Sequence, residues 1–484
     1  MDTSIFSLGA AEIAQKIRAG EITPGQAVEA HIAQIERINP QINALVTDTF
    51  ESARREASRA AEMLAKKTAD LPPLFGVPIT VKDALPAAGV RFTAGSIHAR
   101  GRIADQDAEA VRRMKAAGAI ILGKTNCADM SGSTETNNLV FGLTRNPWNL
   151  DRSAGGSSGG EAAIIAARGS PLGLGSDIAG SIRLPAAFCG VFGLKPTGGR
   201  VSTAGHIPPT PESISDWNTV GPLARRTEDL ALALSILSST PTRDFRGISL
   251  HNRRVLVPNF LSLIPVSAEI AGAVYEAAKI LAGCGLQVIR GANLPFLQTS
   301  LAYSTQMYRD WLPGYRRLFD SGRPIHLAAE IIANLRGSGK VSLSTLAVLT
   351  SVYILGAPLS LFGCGRPAQM ASLRSQVRAQ MGPGGLIIWP IFPTTAPRHG
   401  FAWNPMKSPA YTCILNYLGF PSVAVPMGIS KTNLPLSVQI IAGPGEDETA
   451  LAAAARLEQA LGGSQMPPLI KNQNSQLPGL LPPA

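Results

Sequence analysis

Gly155-Gly156-Ser157-Ser158-Gly159-Gly160-Glu161 and, a helix's length further on, Gly175-Ser176-Asp177-Ile178-Ala179-Gly180-Ser181-Ile182-Arg183-Leu184-Pro185 decide how this chain of 484 residues folds. The first segment is a glycine- and serine-rich turn that opens an alanine-rich helix through Ala167. The second is a short apolar strand, Leu172 to Gly175, that ends in the turn Asp177 to Ser181. Upstream, Gly76 to Val81 reads as a strand, Asp107 to Ala117 as a helix stopped by Gly118, and Ile120 to Gly123 as the next strand. Downstream, the pattern continues through Val191 to Lys195. Short apolar runs separated by helices are what a sheet covered by helices on both sides requires, an α/β architecture.

A serine hydroxyl is a poor nucleophile until a base takes its proton. Lysine can be that base only if its ordinary pKa, near 10.4, is lowered by desolvation or by nearby positive charge. Lys82, in Gly76-Val77-Pro78-Ile79-Thr80-Val81-Lys82-Asp83, stands where an apolar strand ends, so burial supplies the desolvation. Side chains alternate along a strand, so Asp83 points away from Lys82 and need not hold it charged.

The two glycine-serine segments resemble the defining signature of the amidase signature family, over about thirty residues with two serines, several glycines, an aspartate, an arginine and a proline in place. Lys82 matches the family's upstream lysine. Gly123-Lys124-Thr125-Asn126, Asn146-Pro147-Trp148, Gly193-Leu194-Lys195-Pro196-Thr197, Gly221-Pro222 and Asn416 to Pro426 look like further landmarks, so the resemblance covers most of the chain. It implies the amidase signature fold: one domain over residues 1–484 built on a large, twisted, mostly mixed sheet. It also implies a triad in which Ser181 is the nucleophile, Lys82 the ultimate base and Ser157 the bridge, joined to Gly156 by a cis peptide bond. Backbone N–H groups of Ile178, Ala179, Gly180 and Ser181 would form the oxyanion hole. The family commonly has glycine where this chain has Ala179, whose β-carbon narrows the allowed backbone angles. Asp177 and Arg183 bracket the loop and are expected to pin it as a charge-assisted pair. Met130, Ser131, Gly132 and Ser133, with Thr134, match a family segment beside the active site and are expected to bind substrate. Neither a cofactor nor a metal is implied.

Composition narrows the partners. Hydrophobic residues make up 45% and charged residues 16%, which excludes a disordered chain. The net charge of +11 is spread over short doublets such as Arg112-Arg113, Arg225-Arg226 and Arg316-Arg317, so no nucleic-acid footprint is read from it. Five widely spaced cysteines, Cys127, Cys189, Cys284, Cys364 and Cys413, form neither a disulfide framework nor a metal-ligand pattern. The stretch Met1 to Ala10 lacks the basic and apolar regions of a secretory signal, so a reducing, cytoplasmic location is the default expectation. The histidines His98, His206, His251 and His326 have no carboxylate or cysteine at ligand spacing and read as surface or packing residues, and His31 as a boundary residue on a helix face.

Around the catalytic core, taken as residues 72–240, the first 70 residues read as helices: one capped by Ser7 and running to Arg18, a second opened by Thr23-Pro24 and running to Ile38. Further strands are expected at Val255 to Pro258, Leu286 to Ile289, Leu386 to Trp389 and Ser437 to Ile441, with helices Ala268 to Leu281 and Asp447 to Leu461. Residues 297–370 read as a helical insertion that shapes the substrate pocket with Tyr303, Tyr308, Trp311, Tyr315 and Phe319. Within it Val341 to Gly365 carries no charge. Its serines, threonines, glycines and proline favour a buried helix or pocket wall over a stable membrane span. The tail 465–484 is expected to wrap the surface or fray.

The expected activity is hydrolysis of a C–N acyl bond in an amide, aryl amide or carbamate. The acyl-enzyme would form on Ser181, and the substrate would be small with an apolar or aromatic group. A homodimer is left open. Two other readings share the signature: an amidotransferase component that passes ammonia from glutamine to a tRNA-bound amino acid, and a membrane-surface hydrolase of fatty amides. A third, a nucleophile elbow with Ser157 as nucleophile and His399 as base, leaves the Ser181 segment unexplained.

Overall fold

The structure, a computed structural model, describes residues 5–66, 70–319, 322–361, 367–401 and 410–475. Eleven of its strands join in one sheet. In chain order they are β1 (Leu45–Asp48), β2 (Pro78–Lys82), β3 (Ile120–Thr125), β4 (Leu172–Asp177), β5 (Phe192–Lys195), β6 (Thr219–Ala224), β7 (Arg254–Pro258), β8 (Gln287–Ala292), β9 (Leu386–Pro390), β10 (Ser422–Ile429) and β11 (Pro435–Ala442). Their spatial order is β1-β3-β2-β4-β6-β5-β10-β11-β9-β7-β8. The sheet is mixed: β3, β2 and β4 run parallel, as do β9, β7 and β8, while the pairs from β4 through β6, β5, β10 and β11 to β9 are antiparallel.

Both faces are covered, which explains why several strands are apolar along their whole length rather than alternating with polar residues. In β3, Ile121 packs with Val111 and Met114, whereas Ile120 and Leu122 pack with Val28, Ile32 and Ile35 on the other side. The same split sends Leu386 and Ile388 of β9 to one layer and Ile387 to the other. Period-two alternation thus feeds two hydrophobic layers at once.

Several expected elements shift. The first helix begins at Ala10 with Gly9 as its cap, not at Ser7, whose stretch Ile5–Ser7 is a separate 3-10 turn. The second has the Thr23/Gln26 capping box and continues past Ile38 to Ile42, through Pro40. The N-terminal 70 residues also contain a strand: β1 lines the sheet edge beside β3. Strands β6 and β10, seen in the sequence only as landmark motifs, lie in the middle of the sheet. Helical structure in the insertion extends from Phe296 to Met381, beyond residue 370, and includes a π-helical turn at Met307–Trp311.

The uncharged segment forms the helix Leu343–Leu361, and it is not the buried helix expected. Ser344, Thr345, Leu346, Leu349 and Gly356 are buried, but Leu343, Ile354 and Leu361 are 66%, 62% and 85% exposed. Among the described residues this is the one helix long and apolar enough to cross a membrane by length and composition. Residues 362–366, including Cys364, and the tail beyond residue 475 lie outside the described residues.

Candidate active site

The two serine segments meet at the carboxyl ends of the parallel strands β2 and β4, where sites in open α/β sheets commonly form. Register pairs Thr80 with Gly173 and Val81 with Leu174, so Lys82 at the end of β2 comes level with the end of β4. The helix Gly159–Ala166 starts above that point, and its preceding turn delivers Ser157. The Gly156–Ser157 peptide bond is cis, as the resemblance implies. A β-carbon on Gly156 would stand 2.6 Å from the Glu135 nitrogen, so only glycine fits under the neighbouring loop.

Lys82 Nζ lies 2.6 Å from Ser157 Oγ and 2.9 Å from Ser176 Oγ, and the side chain has no exposed surface. Burial pushes its pKa down to about 8, against the opposing pull of the Cys127, Asp177 and Glu161 acids. Asp83 faces elsewhere, as expected: its Oδ2 accepts from Thr93 N at 2.9 Å and from Thr93 Oγ1 at 2.7 Å. Glu161, from the first serine segment, accepts from Thr80 Oγ1 (2.7 Å) and Thr125 Oγ1 (2.8 Å), and burial raises its pKa to about 7.

Ser181 is 8% exposed while Ser157 has no exposure, so of the two serines Ser181 is the one a ligand can reach. The segments are tied by Ser158 N–H donating to the Ser181 carbonyl at 3.1 Å. Ser157, Ser176 and Ser181 line one narrow cavity with His206, Met130, Trp311 and Tyr315.

The turn before Ser181 is held by Asp177. Its carboxylate pairs with Arg183 at 3.0 Å, both side chains being wholly buried, and accepts from Gly180 N (2.7 Å) and Ile182 N (3.1 Å). Burial alone would raise the Asp177 pKa, but Arg183, Lys195 and Asn416 outweigh it and hold the carboxyl well below the usual range. Arg183 is fixed in turn by Gln439 Oε1 at 3.0 Å and Asn416 Oδ1 at 2.6 Å. The Gly180 amide, one of four expected to face an oxyanion, is therefore engaged inside the loop. Gly180 itself has φ +116°, where a β-carbon would also stand 2.4 Å from Thr412 Oγ1. Ala179 is not among the residues with positive φ, so its β-carbon is accommodated.

Of the four expected substrate contacts, Met130 and Ser131 line the cavity. Gly132 packs instead beneath Tyr315, where a β-carbon would stand 2.0 Å from the phenol oxygen, and Ser133 turns inward to accept from Glu135 N at 3.2 Å. Trp311 and Tyr315 stack at 3.9 Å between centroids and form the insertion's side of the cavity. Tyr303 stacks on Trp217 and donates to the Ile178 carbonyl at 3.2 Å, while Tyr308 and Phe319 pack within the insertion.

Two expectations about histidine resolve in opposite ways. His399 has both ring nitrogens occupied, by Glu135 Oε1 at 3.1 Å and the Leu150 carbonyl at 3.0 Å, which removes it as the base of a Ser157 elbow. His206, read from sequence as surface or packing, is 6% exposed and contacts Ser176 Oγ at 2.8 Å. No ligand spacing marked it, because its partner lies 30 residues away and is joined only by the fold.

Whole-chain comparisons give the chain's relatives. The chain is 34% identical to fatty-acid amide hydrolase 2-A of Danio rerio over 96% of this chain and 90% of that protein. It is 31% identical to a glutamyl-tRNA(Gln) amidotransferase subunit of Carboxydothermus hydrogenoformans, covering 94% and 97%. A solved structure of 6-aminohexanoate cyclic dimer hydrolase complexed with substrate superposes with a TM-score of 0.74 at 29% identity, over 96% of this chain and 99% of that one. The sequence model described as Amidase matches residues 26–451, and the chain accordingly belongs to the amidase signature family, as a hydrolase acting on C–N bonds.

Proposed function

We propose that the protein hydrolyses amides or carbamates of small substrates with an apolar or aromatic group, through an acyl-enzyme on Ser181. The observation that carries this reading is the 2.6 Å contact between a fully buried lysine amine and the Ser157 hydroxyl, in the cavity that Ser181 also lines. Lys82, uncharged, accepts the proton of Ser157, which accepts that of Ser181 as its oxygen attacks the acyl carbon. The N–H groups of Ile178, Ala179 and Ser181 receive the developing oxyanion, with Gly180 supplying the turn rather than a donor. Collapse of the tetrahedral adduct breaks the C–N bond, and Ser157 returns a proton to the leaving amine while drawing one from Lys82. Water then takes the amine's place and releases the acid by the same relay. Trp311 and Tyr315 supply an aromatic wall suited to an apolar acyl or amine group.

The test is a panel of amides, anilides, carbamates and esters assayed with wild type and with Ser181→Ala, Ser157→Ala, Lys82→Ala and His399→Ala. Ser181→Ala abolishes turnover and His399→Ala leaves it near normal. Full activity in Ser181→Ala, or loss only in His399→Ala, overturns the assignment. Ammonia release from glutamine by the isolated chain would favour instead the amidotransferase reading that one relative suggests.

A second reading, action at a membrane surface on fatty amides, is favoured by the open apolar face of the insertion. Leu335, Leu343, Ile354 and Leu361 are exposed there, close in sequence to Arg336 and Lys340. Flotation with anionic vesicles, reduced by Leu335→Glu with Ile354→Glu, is the expected result. Absence of vesicle affinity in the wild type ends this reading.

A further inference from the structure

We infer that His206 is a positioning residue for the base, setting the direction of the hydrogen bonds that leave the Lys82 lone pair open to Ser157; this rests on the relay proposed above. His206 Nδ1 lies 2.9 Å from the Pro208 carbonyl, which can only accept, so Nδ1 carries the ring proton. The Asn218 amide also approaches Nδ1, at 3.3 Å, but its nitrogen has a nearer acceptor in Thr210 Oγ1 at 2.9 Å. With Nδ1 protonated, Nε2 is a bare acceptor, and the Ser176 hydroxyl at 2.8 Å must donate to it. Ser176 Oγ is then left to accept from Lys82 Nζ at 2.9 Å. The amine thus spends an N–H on Ser176, and its lone pair faces the Ser157 hydroxyl at 2.6 Å.

Without His206, the Ser176 proton is free to rotate onto the lysine lone pair. The amine would then be capped by the wrong hydroxyl, and Ser157 would have no acceptor for its proton. A neutral imidazole is needed, since an imidazolium would donate at both nitrogens. Burial above all keeps the ring neutral, in a site where its pKa is pushed down to about 4.

Three variants test this. His206→Leu removes the acceptor, His206→Gln can place an amide oxygen where Nε2 was, and His206→Leu with Ser176→Ala also removes the misdirected hydroxyl. Leaving the buried Ser176 donor without its acceptor corresponds to a loss of about 10- to 100-fold in kcat for His206→Leu, with KM within about twofold. His206→Gln recovers most of the rate, and the double variant is no slower than His206→Leu. Equal losses in the Leu and Gln variants, or a change confined to KM, overturn the inference. Should His206→Leu fail to fold, labelling of Ser181 by a fluorophosphonate in His206→Gln and His206→Asn decides the matter. Asn, too short to present its oxygen to Ser176, is labelled slowly and Gln at near the wild-type rate, while equal rates overturn the inference. Indifference of all His206 variants while Ser181→Ala is dead sinks this inference alone. An active Ser181→Ala sinks the relay itself.

Discussion

At the scale of single residues, the chemistry depends on a lysine that is uncharged at working pH. The acids that face Lys82 are Cys127, Asp177 and Glu161, whose ionised forms would all favour its protonated form, so the lowering comes from burial alone. The base is competent only when deprotonated. Activity should therefore fall as pH drops below about 8, by about tenfold per unit, and level off above it. A pH profile of kcat/KM measures this, and a flat profile from pH 6 to 9 contradicts the lysine's role. Cys127 is no rival nucleophile, because burial pushes its thiol pKa far up and leaves it protonated.

At the scale of elements, the site is a junction between the signature loops and the helical insertion. Tyr315 donates to the Met130 carbonyl at 2.8 Å and to the Asp129 carbonyl at 3.2 Å. Asp129 Oδ2 accepts from Ser342 N at 2.9 Å at the start of the exposed helix. Met130 and Ser131 adopt positive φ, at 48° and 59°, in the loop so clamped. Gly132 lets Tyr315 approach, so Gly132→Ala should displace the phenol and loosen the clamp. The expected cost is about 1–3 kcal/mol of stability, with a raised KM and a smaller change in kcat. Thermal melting and steady-state kinetics check this, and an unchanged midpoint and KM count against the clamp.

At the scale of the whole molecule, Arg183 ties together parts of the chain that are far apart in sequence. It reaches Asp177 at the end of β4, Gln439 on β11 and Asn416 in the helix Cys413–Leu418, all without solvent contact. Gln439 in turn donates to the Pro390 and Tyr411 carbonyls at 2.8 Å each, so the two halves of the sheet are joined behind the nucleophile loop. Arg183→Met leaves the Asp177 carboxylate buried without its cation. A loss of about 3–5 kcal/mol is expected, together with activity. Chemical denaturation measures it, and a change below about 1 kcal/mol shows that the pair is dispensable to the fold.

What the amino-acid order determined alone was local: caps and apolar runs that make strands and helices, and two glycine-serine segments whose resemblance to the amidase signature, with a lysine at an upstream strand end, pointed to Lys82, Ser157 and Ser181. These signals survive in isolation because they rest on side-chain period and backbone freedom within a few residues. The helix Asp447–Leu461 was legible to its ends for that reason. Only the tertiary structure decided the central places of β6 and β10, the inward turn of the Gly180 amide, the open face of Leu343–Leu361 and the contact of His206 with Ser176. Each depends on which distant group occupies a buried polar site or covers an apolar face, and spacing along the chain carries no trace of it.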